Sequence, residues 1–369
     1  MRQVKTLTLL LVLLITQTGY SQNIIPLDTT NWEISKGASF VLENYNEKNS
    51  LYLKGGTITN KNISFRNGTI EFDLFLKKVH GFPGVSFRVV ENDAEQFYIR
   101  PHLPGKPDAN QVAPVTLGIT AWQLYFGTKY SFPYDYNYND WTHVKILVRD
   151  NKAQIYLDHS EKPHLSWHLF HPTRAGKVMF QLGSRSAFHI ADIKINTETP
   201  QLVDFNPIDR TPIEGLVSEW EISDMFEKKL LADPSKIATV ISKRTWGRKI
   251  QVEEGTAANI SRQQFLRNGK PGETVFAKIT INSDRDQIKL FQFGYSDQVI
   301  AILNGQAIYQ GTNIWRSRDY RYLGTVGLFD GIYLNLKKGE NTLLMAVSEN
   351  FGGWLITGKF DDPSGIKVK

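Results

Sequence analysis

From Asn23 onward, apolar and polar positions alternate in short runs with turn residues between them. Residues 69–76, 85–90 and 96–100 show the pattern most clearly. Period two, with β-branched and aromatic residues enriched, predicts strands that bury one face in a sheet. Helical periodicity is nearly absent, and only 223–231, with Asp224 near its start, reads as a short helix. Repeated short strands at this spacing predict antiparallel β-sandwiches, an all-β fold. Asn304-Gly305, set between two apolar runs, is a hairpin signal.

The alternation breaks at 197–212, where Pro200, Pro207 and Pro212 lie in a polar stretch that reads as a linker. All eight histidines precede it and none follow. Trp-Glu-Ile-Ser occurs at 32–35 and again at 220–223, near the start of each half. A length of 369 residues suits two domains better than one. The expected organisation is a signal peptide at 1–21, a first sandwich at 22–198, a linker at 199–212 and a second sandwich at 213–369. That is two antiparallel β-sandwich (jelly-roll) domains in tandem.

The N-terminus changes the setting. Arg2 and Lys5 precede an apolar run at 7–15, and Gly19-Tyr20-Ser21 supplies small residues at the −3 and −1 positions of a cleavage site. The run is too short for a mature membrane span, and no later stretch is long enough. An exported chain without cysteine points to a bacterial source and a secreted or periplasmic protein. Zero cysteines also exclude a disulfide framework, a thiolate zinc site and a cysteine nucleophile. A net charge of +6 is too small an excess to argue for nucleic acid.

The strand–turn–strand unit at 141–149 and 153–158, followed by runs at 176–181 and 187–195, resembles the closing strands of concanavalin A-like, LamG-type sandwich domains. That group includes lectins, glucanases and the 3-keto-disaccharide hydrolase-like domains of bacteria. In the second half, Trp220, Phe226, Trp246, Gly255 and Asn259 lead to runs at 293–299, 302–309 and 339–344 and to Gly352-Gly353-Trp354. This half is similar to the galactose-binding-like jelly roll of family 2 glycoside hydrolases. The two resemblances imply a carbohydrate role, and the second implies a module that binds or supports.

Aromatic residues form the densest signal. Between Trp122 and Trp141 lie Tyr125, Phe126, Tyr130, Phe132, Tyr134, Tyr136 and Tyr138, nine of twenty positions with the two tryptophans. Tyr134, Tyr136 and Tyr138 alternate with Asp135, Asn137 and Asn139, so an extended backbone presents a ring face and a polar face. Sugars are held by that combination, and buried packing at a sheet edge is the alternative use of the same rings. Trp141 is expected in the core. Arg100 and His102 sit in a proline-held loop that could close one side of the platform. Trp315-Arg316 opens a run of cations and rings, suited to a loop, to cation–π pairing or to an acidic glycan.

Other constellations are weaker. Glu91, Asp93 and Glu95 have the E-x-D-x-E spacing of family 16 glucanases on the resembled fold, but Asn92-Asp93-Ala94 reads as a surface turn between strands. His159, His164, His168 and His171 lie near Pro163 and Pro172 and read as solvated loop histidines, not zinc ligands. Asp135, Asn137 and Asn139 match the start of an EF-hand loop, but Asp140 replaces its glycine and Ile146 its final glutamate. A looser structural calcium ion stays open. No phosphate loop, G-x-S-x-G elbow, H-E-x-x-H or dinucleotide fingerprint occurs.

The expectation is a secreted carbohydrate-binding protein with no catalytic residue, no metal ligand and no cofactor. Its ligand residues are Arg100, His102, Trp122, Tyr125, Tyr134, Tyr136, Tyr138, Trp315 and Arg316. Its partner is a glycan, with no nucleic acid and no membrane span, and its oligomeric state is left open. The alternative is a glycoside hydrolase acting from the first sandwich.

Overall fold

The computed structural model of the chain describes residues 23–182, 186–264, 273–314 and 325–369. Strands dominate it, as the alternation requires. The first half forms two antiparallel sheets. An eight-stranded sheet runs Trp32–Ile34, Thr57–Asn60, Lys177–Gln181, Gly84–Val90, Asp93–Ile99, Asn110–Thr116 and Ser131–Phe132, with Ile119–Thr120 added beside Asn110–Thr116. A seven-stranded sheet runs Leu165–His168, Lys152–Leu157, Asp140–Arg149, Gly68–Leu76, Ala187–Asn196, Lys48–Lys54 and Ser39–Tyr45. Alternate residues of each strand, such as Phe72, Leu74, Phe87, Phe97, Val144 and Phe180, meet in one core between the sheets.

The second half is a twelve-stranded sheet folded onto itself. Glu273–Ser283 and Gly339–Glu349 are central to one limb, and Gln287–Ser296 and Leu355–Phe360 to the other. Arg248–Glu253 pairs with strands of both limbs and joins them. Trp220, Phe291, Phe293, Tyr295 and Trp354 fill the space between. Asn304 and Gly305 form the expected two-residue turn with φ of 50° and 85°, values that glycine adopts freely and asparagine tolerates. Trp32 and Trp220, the repeated tetrapeptide's tryptophans, are each buried in the opening strand of their half.

The helix falls later than the sequence suggests. Phe226–Glu227 pairs as a strand with Thr274 and Glu273, and 3-10 turns follow at Lys228–Leu231 and Pro234–Lys236. The α-helix itself is Ile237–Ser242. Asp224 cannot cap a helix here because its carboxylate accepts the Thr245 N–H and pairs with Arg244. Asp233 is the residue that starts the helical region, accepting the Ser235 N–H ahead of Pro234 at the first turn. Among the described residues, no helix is long and apolar enough to cross a membrane.

The proline-rich connection lies against the protein. Gln154 exchanges two hydrogen bonds with the Val203 backbone, and Arg149 reaches Gln201. Arg210 donates to the Leu124 and Phe126 carbonyls and to Thr256, with its guanidinium 4.7 Å from the Phe126 ring. The halves touch directly as well. Gln123 accepts the Gly353 N–H at 2.8 Å, Trp122 meets Phe351, and Leu355 joins the core of the first sandwich. Glycine is required at this seam, since a Cβ on Gly352 would lie 2.5 Å from the Trp122 indole.

Candidate functional site

A cleft of about 590 Å³ opens between the two halves. Tyr125, Lys129, Tyr130 and Phe170 line it from the first half, and Gln251, Glu253, Glu254, Arg262 and Gln263 from the second. Its size lies within the range of small-ligand sites. The rings of Tyr125, Tyr130 and Phe170 pack edge-on or tilted, with centroids 4.7–5.4 Å apart.

Charge in the cleft is held in pairs. Arg262 forks onto Glu253 through Nε and Nη2 at 2.8 and 2.9 Å, and the Tyr125 hydroxyl donates to the same carboxylate. Lys129 donates to Glu254 at 2.7 Å. Burial works to raise the Glu254 carboxyl, but hydrogen bonds from Lys129 and Tyr130 outweigh it and hold the group below its ordinary range. Burial, reinforced by the Glu253 charge, pushes the Tyr125 phenol well up, so it stays a donor. These groups present fixed donors and acceptors around aromatic walls.

One wall depends on a residue expected elsewhere. Glu95 is not on a surface turn. The turn is Glu91-Asn92, the strand begins at Asp93, and Glu95 points into the sandwich. Its carboxylate accepts the Phe170 and His171 N–H groups at 3.1 and 2.9 Å and pairs with His171 Nδ1 at 3.2 Å. That anchors the segment carrying Phe170 into the cleft. The histidines divide: His159 is exposed in a turn and His168 is exposed, as expected, whereas His164 and His171 are packed. His168 ends the strand Leu165–His168, His171 is buried beside Thr116, and His164 stacks on Phe132. Strand pairing fixes His168 and Glu95 fixes His171, while His164 is held by its backbone bond to Ile155. Among the described residues, no group of three or more His, Asp or Glu is arranged to hold a metal.

The other expected ligand residues divide. Arg100 is 1% exposed, over the Tyr98 ring, donating to Gln111, the Tyr98 hydroxyl and the Asp108 carbonyl. Gln111 in turn donates to the Trp122 and Tyr125 carbonyls, so one amide ties Arg100 to the turn that carries both aromatics. His102 packs against His80 and Phe82, and burial, then the charges of His80 and Arg100, pull it down to about 4. Tyr134, Tyr136 and Tyr138 do alternate with exposed Asp135, Asn137 and Asn139, but the rings turn inward. Their hydroxyls donate to Asp158, the Ala109 carbonyl and the Pro101 carbonyl. Among the described residues of the expected set, only Tyr125 lines the cleft. Trp315 and Arg316 lie outside the described residues. Trp141 is not in the core. It stands half-buried on the outer face of the seven-stranded sheet, edge-on to Phe75, with Nε1 donating to the Asn46 carbonyl.

Lys129, Glu253, Glu254 and Arg262 were not singled out by the sequence. They come from segments more than a hundred positions apart, and no local motif marks such a meeting.

No family model and no curated protein matches the chain. Several solved structures do, each over about half of it. A putative glycosyl hydrolase from Parabacteroides distasonis is 15% identical, with 46% of this chain covering 89% of that one at a TM-score of 0.32. The carbohydrate-binding module CBM66 from Bacillus subtilis is 14% identical, with 44% covering 93% at 0.35. A β-glucanase from Bacillus licheniformis is 12% identical, with 49% covering 97% at 0.35. Likeness at this level says nothing of ligand or chemistry.

Proposed function

We propose that the chain binds a glycan in the cleft between its two sandwiches and does not cleave it. The observation that carries this reading is the pairing of charge beside aromatic walls. Sugar binding needs rings for C–H faces and fixed polar groups for hydroxyls, and Phe170, Tyr125, Gln251, Gln263 and the Glu253–Arg262 fork supply both. Hydrolysis needs one carboxyl kept protonated as an acid beside an ionised partner. Glu253 and Glu254 are both clamped by cations instead. Carboxyls that burial raises occur at Asp297 and Glu349, each almost fully enclosed in the second half.

On this reading residues 22–198 and 213–369 are two binding or supporting units joined at 199–212. Export by residues 1–21 places the site in the periplasm or outside the cell. The test is calorimetric titration of the intact protein with neutral oligosaccharides, with reducing-sugar release followed in parallel. Binding without new reducing ends, weakened at least tenfold by Gln263→Ala, is the expected result. Turnover that Glu253→Gln abolishes would replace it with the hydrolase reading.

A further inference from the structure

The outer face of the seven-stranded sheet carries a constellation that the cleft does not use. Phe72, Leu74, Val144, Ile190 and Leu51 fill the inner core, so their neighbours along each strand point outward. Register then lines up rings from four adjacent strands. Trp141 pairs with Phe75, Phe75 with His189, and His189 with Tyr52. The line spans about 14 Å, three strand spacings. Tyr45, from the edge strand, lies on it, stacked on His189 at 3.8 Å and edge-on to Phe75 at 4.9 Å. Phe75 and His189 are buried beneath, whereas Trp141, Tyr45 and Tyr52 are half-exposed.

A polar line runs parallel, one outward position along. His143 pairs with Asp73, Asp73 with Ala191, Ala191 with Ser50, and Ser50 with Glu43. Asp192, turned outward at a bulge, shares Lys48 with Asp73. Asp73 and Asp192 share the cation Lys48, Asp73 also pairs with His143, and Glu43 meets His189, an imidazole that burial holds below its ordinary pKa. The connection at 201–203 covers the far end of the sheet through Arg149 and Gln154, and the aromatic end stays open.

We propose that this face is a second, independent site, for an extended neutral polysaccharide. A ring line beside a polar line matches the two chemistries of a sugar chain, C–H faces and hydroxyls. Three carboxylates, Glu43, Asp73 and Asp192, stand against three cations, Lys48, His143 and Lys77 over the Tyr45 and Phe75 rings. That balance has little pull on a polyanion, and an open sheet without walls suits a long chain better than a small ligand. The proposal does not rest on the cleft.

The test is affinity electrophoresis of the full chain through gels holding soluble β-glucan, xylan or arabinan, with polygalacturonate as the acidic contrast. Wild type should be retarded by at least one neutral polymer, equally at low and high salt. Trp141→Ala should reduce that retardation at least tenfold. Because Trp141 packs on Phe75, Tyr52→Ser serves as a second variant, and melting curves confirm that both fold. A cleft variant, Gln263→Ala, separates the two sites. If it abolishes retardation while folded Trp141→Ala and Tyr52→Ser migrate as wild type, the sheet-face proposal is wrong and the cleft reading stands. Retardation by polygalacturonate alone, lost in high salt, or by no neutral polymer at all, also overturns it.

Discussion

Two aromatic regions of the first sandwich use their rings in opposite ways. Residues 134–138 place tyrosine at every second position, and all three rings turn inward with their hydroxyls spent on Asp158 and on the Ala109 and Pro101 carbonyls. The outer face of the seven-stranded sheet gathers Tyr45, Tyr52, Phe75, Trp141 and His189 from five strands and leaves three of them half-exposed. The cause is what lies behind each backbone. Segment 134–138 has one face against the protein and one in water, so its apolar alternates go in. The sheet strands already bury Phe72, Leu74, Val144 and Ile190 on their inner side, so outward rings can only cover one another. Rings dense along the chain mark a packing seam here, and rings gathered by register mark a platform.

The largest effect that could break this comparison is at Tyr136, which is 6% exposed. Tyr136→Ala removes a buried ring and should cost about 3 kcal/mol or more, read as a large drop in melting temperature. Tyr136→Phe keeps the ring but removes one of the two donors to the Ala109 carbonyl, which keeps the Arg100 N–H, and should cost about 0.5–1.5 kcal/mol. An alanine variant that melts like wild type would mean that the inward packing is not what holds this segment.

Next in size is Glu95, the polar counterpart of those buried rings. Glu95→Gln keeps the shape but replaces one oxygen with a donor facing the N–H groups of Phe170 or His171. The expected loss is about 1–3 kcal/mol, with weaker ligand binding in the cleft because Phe170 loses its anchor. Unchanged stability and unchanged titration isotherms would show that Phe170 is positioned by something else.

The sheet face makes a pH prediction that the tyrosine seam does not. Burial acts to lower the His143 pKa, but hydrogen bonds and charge from Asp73 and Glu71 outweigh it and hold the imidazole at about 9. A folded pKa raised above the ordinary 6.5 gives stability that is full below 6.5 and is lost as pH rises through about 9. Melting temperature should therefore fall between those values in wild type and fall less in His143→Gln. The two proteins tracking each other across that window would remove the imidazolium from the network.

Much of the fold was legible because period two is a local property. The strands at 69–76 and 85–90, the Asn304-Gly305 turn and the polar alternation at 135–139 follow from neighbours in sequence. The site was not legible in the same way. Arg100 looked available but is held by Gln111 and Tyr98, a pairing set by the register of Asp93–Ile99 against Asn110–Thr116. Trp141 looked like core, yet its parity in Asp140–Arg149 puts it opposite Val144. The cleft joins Tyr125 to Glu253 and Arg262, and that distance along the chain leaves no pattern to read.

The smallest expected effect sharpens the comparison most. Tyr52 touches His189 at 4.6 Å but lies on the solvent side of a completed core. Tyr52→Ser should shift stability by only about 0.5 kcal/mol, the usual range for a surface change. If the ring line binds sugar, the same substitution should weaken retardation on a neutral polymer far more than that small shift accounts for. Tyr136→Phe gives the converse, lower stability with binding by the folded protein intact. Should Tyr52→Ser destabilise as strongly as Tyr136→Ala, the outer rings are packing too, and the distinction between seam and platform fails.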